Sequence, residues 1–279
     1  MNSTAVADRV PLSRRPELGA LAALFVLTLR QQVRGRRLLA LSLLFCLPSV
    51  LAVVIRLGSR IPLPAENIEF ALLLNLVPCA LAPLASLLYA SGLVRDDVEE
   101  QTLTYLLLRP LPRWALYLTR LLATMLLTAL LTAAFTAATF VVIALTTDEP
   151  LRATLALRAV KTCTLLALAE VGYCALFGLL GLLLRRSLLV GLVYIILFEG
   201  LLASLDTLVR RMTVMYYFRV LVQRWLHPVS GREWSLDVAT APSSQTCVWI
   251  LLGASAALAA VAAAVFALRE FRMKTPEGS

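Results

Sequence analysis

Two carboxylates stand inside long apolar runs of this 279-residue chain, Glu170 and Glu199. An acid at mid-membrane costs about 2.5–3.5 kcal/mol on insertion scales, so such a residue reads by default as functional. The chemistry on offer is a polar lining for a path through the bilayer, or a proton relay. The competing reading is assembly alone, each acid being protonated or bonded to a neighbouring helix. At 1.5 Å rise per residue, Glu170 lies about 22 Å from Arg185 and Glu199 about 18 Å from Ser187. The two acids therefore stand near one depth, able to face each other or a shared cavity.

A second concentration of charge occupies the segment between two apolar runs. Asp96 and Asp97 stand three residues before Glu99 and Glu100, and Thr102, Leu103 and the Leu106–Leu108 run follow, closed by Arg109, Pro110, Pro112 and Arg113. Acids spaced this way resemble a capping box, with Asp in place of Ser or Thr, at a helix N-terminus. The prolines end the element. The result is a short amphiphilic helix at the membrane face, its acidic end offered to a partner; the plain alternative is a solvated loop helix.

Absences narrow the chemistry further. No G-x-x-x-x-G-K-[ST] occurs, since neither lysine (Lys161, Lys274) follows a glycine, so ATP binding by this chain is not expected. His227 is the single histidine, and no convergent set of metal ligands is legible. G-x-S-x-G and H-E-x-x-H are missing. Cys46, Cys79, Cys163, Cys174 and Cys247 lie in or beside apolar runs without a C-x-x-C pair, as inert thiols do. An enzyme is not expected, and neither is a cofactor in this chain.

The elements that must carry these residues follow from composition. The chain is 60% hydrophobic and 15% charged, with mean hydropathy +0.83. A globular domain is about 45–50% apolar and about 25% charged, so the excess must face lipid. The net charge of +9 is an arginine charge gathered at the ends of apolar runs, which marks topology signals and not a nucleic-acid surface. Six spans are predicted, at about 38–55, 68–94, 114–145, 162–184, 188–205 and 247–268, with Pro78 and Pro83 kinking the second. Residues 1–16 read as a disordered tail, 17–268 as one transmembrane domain, and 269–279 as a second tail.

Leu18–Leu29 is too short to span; Leu18, Ala22, Phe25, Leu29 and Val33 share a helical stripe, which predicts an interfacial helix on the membrane surface. Ser13-Arg14-Arg15 before it suggests a twin-arginine signal, but Arg30 to Arg37 follows in place of a small-residue cleavage site. Basic residues outside the spans number fifteen on the side of the N-terminus and ten on the other, which puts both termini in the cytoplasm. Between the last two spans, Asp206 to Thr246 forms a long outer segment in which Leu208, Met212, Met215 and Tyr216 can share a face, interleaved with Arg210, Arg211, Arg219 and Arg224. It suits the outer headgroup layer. Gly178, Gly181 and the Ala254–Ala264 run permit close helix approach. The fold class is all-α: a polytopic membrane protein of six transmembrane helices with an interfacial N-terminal helix and an outer amphipathic segment.

The run Glu99-Glu100-Gln101-Thr102-Leu103, Leu106-Leu107-Leu108-Arg109-Pro110 and Arg113 resembles the E-x-x-G-T-L-x-x-L-L-x-x-P-x-x-R signature of ABC-2-type transporter permeases. It departs at Gln101, where the family pattern shows Gly. The six spans, both termini inside and the long outer segment resemble that family as well. The resemblance implies a permease subunit of an ABC exporter in the plasma (inner) membrane. It implies a separate ATPase, carrying ATP and Mg, docked on the 96–109 helix, and a second permease copy in a homo- or heterodimer surrounded by membrane lipid. It also implies short re-entrant helices in the outer segment, capping the path. Two other readings stand beside it: a proton-coupled secondary transporter using Glu170 and Glu199, and a non-transporting membrane scaffold.

Overall fold

Inside a bilayer every backbone N–H and C=O must be bonded within the protein, and a helix does this with its own residues. A computed structural model describes residues 18–58, 64–93, 112–145, 149–184, 186–201, 211–228, 234 and 241–268, the side chains of Arg36, 149–153 and 199–201 excepted. Among the described residues all regular structure is helical, with no strand. We number the helices α1 (Leu18–Arg34), α2 (Arg36–Gly58), α3 (Ala65–Ala90), α4 (Arg113–Leu145), α5 (Glu149–Leu183), α6 (Ser187–Tyr194, continued by Ile195–Leu201), α7 (Val214–Trp225) and α8 (Ser244–Leu268).

Five of these, α2, α3, α4, α5 and α8, are long and apolar enough to cross a membrane. The fifth predicted span, 188–205, corresponds to a shorter apolar helix, Ser187–Phe198. The helix that carries the fourth predicted span starts well before residue 162: α5 is helical from Glu149, so Arg152, Arg158 and Lys161 are helix positions. Hydropathy registers where lipid ends, whereas the helix continues beyond it.

Helices α3 and α5 form the interior. In each, 61% of the apolar stretch is buried, against 22% in α2 and 28% in α8. Helix α5 packs on α4, α8, α3 and α7, which makes it the central post of the bundle. Gly181 lets α3 and α5 touch backbone to backbone: a Cβ there would stand 2.6 Å from the carbonyl oxygen of Ser91. Gly178 similarly admits the Tyr117 hydroxyl of α4, which a Cβ would meet at 2.8 Å.

The two prolines of α3 are accommodated by widening. Phe70–Leu81 winds as a π-helix around Pro78, and the Ala82 N–H reaches back five residues to the Val77 carbonyl. The next such bond would run from residue 83 to the Pro78 carbonyl, but Pro83 has no N–H. The orphaned Pro78 oxygen is instead met by the Tyr173 hydroxyl of α5 at 3.4 Å. The second widened stretch, Ile195–Leu201 of α6, packs against the first.

Helix α1 lies along α4, burying Leu24 and Thr28 and bonding Gln32 to the Thr124 hydroxyl at 2.7 Å. The apolar stripe lies away from this contact: Leu18, Ala22 and Val33 are exposed, and Phe25 and Leu29 are half-buried, which leaves the stripe on the outside of the bundle. The inward face runs through Leu24, Thr28 and Gln32, four residues apart; Gln32 reaches α4, and the Thr28 hydroxyl is satisfied within α1 by the Leu24 carbonyl at 2.9 Å.

Candidate functional site

Of the predicted docking residues, Asp96, Asp97, Glu99, Glu100, Thr102, Leu103, Arg109 and Pro110 lie outside the described residues. Arg113 is the exposed first residue of α4. What is described is the mounting of the segment's two ends. Leu93, its upstream neighbour, has its carbonyl bonded by the buried Arg120 guanidinium of α4 at 3.3 Å. Arg120 therefore ties the end of α3 to α4, a role its place in an apolar run did not suggest. Ser91 abuts Gly181 of α5 at the same end. Downstream, the Pro112 carbonyl accepts from the Ala115 and Leu116 N–H groups and so starts α4. The chain thus reaches residue 93 at a point held to α4 and α5, and resumes at Pro112 directly in the first turn of α4.

Glu170 is buried at the meeting of three helices. The Ser86 hydroxyl of α3 donates to one carboxylate oxygen, and the Thr132 hydroxyl of α4 donates to the other at 2.7 Å. One turn along α4, Thr128 lies 3.4 Å from the Cys174 sulfur of α5. Glu199 lies in the widened part of α6, and its side chain, with the expected facing of the two acids or their shared cavity, is outside the described residues.

Thr132 belongs to a series the apolar pattern concealed. Thr124, Thr128, Thr132, Thr136 and Thr139 are all buried on α4. Four bond across or along helices: Thr124 with Gln32, Thr128 with its own Thr124 carbonyl, Thr132 with Glu170, and Thr139 with Ser49 of α2 at 2.8 Å. A hydroxyl that bonds back to the carbonyl four residues earlier is tolerated in an apolar helix. The legible signal was the spacing of four.

At the end of α5 away from Gly181, α7 is folded inward on the bundle. Helix α7 buries Met215, Tyr216, Phe218, Arg219, Val220, Leu221 and Val222, and packs on α5 and α8. The expected shared face of Met212, Met215 and Tyr216 does not hold, because Met212 is exposed while the other two are buried; Leu208 and Arg210 lie outside the described residues. Arg219 stacks 5.5 Å from the Trp234 ring, which in turn lies 4.8 Å from Phe70 of α3. Glu69, on the turn before Phe70, is buried and pairs with the Arg158 Nε of α5 at 2.8 Å.

No curated protein matches the chain. A family model described as ABC-2 family transporter protein matches residues 34–203, which takes in α2 through α6, the 94–113 connection and Glu170. That match extends over more than half of a chain built from apolar membrane-length helices around a polar-tied central post. The chain belongs to the ABC-2 family of transporters and is an ABC transporter permease, a transmembrane component of transport.

Proposed function

We propose that this chain is the membrane-spanning subunit of an ABC exporter, driven by a separate ATPase that docks on the 96–109 helix. The observation that carries the reading is the family match running through the 94–113 connection, whose upstream end is tied to α4 and α5 and whose downstream end begins α4. A push on that segment passes through Arg120 and Ser91 into the central helix. ATP and Mg act on the partner subunit, and the chain itself supplies no catalytic group. Two permease copies line the path between them, with both termini cytoplasmic in the plasma (inner) membrane and α1 along its inner face. Helix α7 covers the outer end of the path as a re-entrant element. Glu170 acts in this reading as a tie among α3, α4 and α5 and only through them on the path.

The test is isolation of the tagged chain from its own membranes, with identification of any Walker A-bearing ATPase that accompanies it. Reversing Asp97, Glu99 and Glu100 to Lys should abolish that association and the ATP hydrolysis of the complex. An intact complex carrying the triple reversal, with undiminished hydrolysis, sinks the docking assignment.

A further inference from the structure

The C-terminus of α7 is held in an unusual way. A helix ends with carbonyls that have no partner within it and with a partial negative charge. Here the last two are taken by basic side chains of another helix. Lys161 Nζ donates to the Trp225 carbonyl at 3.1 Å, and Arg158 Nη1 donates to the Leu226 carbonyl at 3.3 Å. Arg158 and Lys161 stand three residues apart on α5 and so share a face. Glu69 of α3 accepts from the Arg158 Nε at 2.8 Å and fixes the orientation of its guanidinium fork. The chain then turns through His227, whose φ of 45° is the left-handed conformation usually given to glycine at this position. A residue with a Cβ stays in that region only when its surroundings over-determine it. At its other end α7 is capped by the Thr213 hydroxyl, which accepts from the Tyr216 N–H at 3.2 Å.

We propose that Arg158 and Lys161 form a two-pronged clamp on the carbonyl end of α7, set by Glu69, so that α7 moves with α5 as one body. They are positioning residues. The consequence for transport rests on the reading above, in which α7 covers the outer mouth: displacement of α5 from the docking end then carries the cover with it. Arg120 and Gly181 tie α5 and its neighbours to one end of this linkage, and the clamp supplies the other.

Two native cysteines make the test direct. Cys247 is buried at the start of α8, against which α7 packs, while Cys174 is buried beside Thr128 in the middle of the bundle. The full-length chain in native membrane vesicles is treated with a hydrophilic maleimide, and labelling at each cysteine is read by peptide mass spectrometry. Lys161→Gln, which leaves the Glu69–Arg158 pair intact, and the paired change Glu69→Gln/Arg158→Gln should each speed labelling of Cys247. The expected factor is about tenfold or more, that of one charge-assisted hydrogen bond. Cys174 should stay at the wild-type rate, and Arg158→Lys should restore most of the protection. Unchanged Cys247 labelling in both variants overturns the clamp, as does a parallel rise at Cys174, which would mean general loosening. The readout needs neither ATPase nor cargo. Failure of the exporter reading would show in the co-isolation experiment and leave this result standing.

Discussion

Replacing Glu170 by Ala and, separately, by Gln tests whether the buried acid is an uncharged tie. The wild-type carboxyl joins α5 to Ser86 of α3 and Thr132 of α4, and no basic side chain among the described residues bonds it. Interhelical hydrogen bonds within membranes average about 0.6 kcal/mol, so two contribute about 1.2 kcal/mol. Truncation to Ala also leaves a void of about 50 Å³, worth about 1.2 kcal/mol at about 24 cal/mol per Å³. Ser86 and Thr132 each recover a partner on their own helix, so no further penalty for stranded hydroxyls is due. Glu170→Ala should therefore destabilise the chain by about 2–3 kcal/mol. Gln has the same shape, keeps one acceptor oxygen, and offers an NH₂ to whichever hydroxyl turns to accept. It should cost less than about 1 kcal/mol.

The assay is reversible unfolding in mixed detergent micelles titrated with a denaturing detergent, following helix content. The two substitutions must separate in the stated order. Were the acid ionised in place, Gln would remove a burial penalty of about 2.5–3.5 kcal/mol and stabilise the chain. A stabilised Gln variant, or an Ala variant as stable as wild type, refutes the reasoning.

Three further outcomes are expected in the same unfolding assay. Gly181→Ala sets a methyl against the Ser91 backbone, so α3 and α5 must part, at a cost of about 1–3 kcal/mol. Tyr173→Phe removes the donor that meets the Pro78 carbonyl and should lower stability by about 0.6 kcal/mol; a Tyr173→Phe variant in which Pro83 is replaced by Ala should recover it, because residue 83 then has an N–H. His227→Gly relieves the left-handed backbone and should stabilise by about 0.5–1 kcal/mol, with Cys247 labelling unchanged.

The apolar helices were legible because lipid imposes one rule along their length. The third span was predicted at 114–145 and α4 runs Arg113–Leu145; the sixth was predicted at 247–268 and α8 runs Ser244–Leu268. The partners of Arg158 and Lys161 were not legible by the same rule, since a charge that finds a partner inside the protein reads in hydropathy as a charge in water. Arg219 behaves likewise, buried against Trp234, whereas Met212 is 86% exposed. On α1, Leu24, Thr28 and Gln32 turn inward, while Leu18, Ala22 and Val33 of the apolar stripe stay on the outside. Glu170 stood out, being costly wherever it lay. Its partners did not, because Ser and Thr in a helix are nearly neutral to the apolar scale.

The same asymmetry explains how the bundle chooses its arrangement. In water, burying leucine separates the right packing from the wrong one; between helices in lipid that preference vanishes, because the tails are as apolar as the side chains. The chain is ordered accordingly. On α2, Leu39 is 73% exposed and Leu43 78%, while Thr124, Thr128 and Thr132 of α4 are each 0% exposed. Apolar contact alone would let α4 rotate about its axis with little loss. The hydroxyls remove that freedom: turning α4 by half a turn would part Thr132 from Glu170, Thr124 from Gln32 and Thr139 from Ser49 together. At about 0.6 kcal/mol each, these ties are individually weak, so their sum permits the helices to shift as a set without committing them to one state. A permease that must change conformation in every cycle is served by many small polar ties around α5 better than by one strong ion pair at its centre. The ion pair found among the described residues, Glu69 with Arg158, lies at the end of α5 where the helix grips α7.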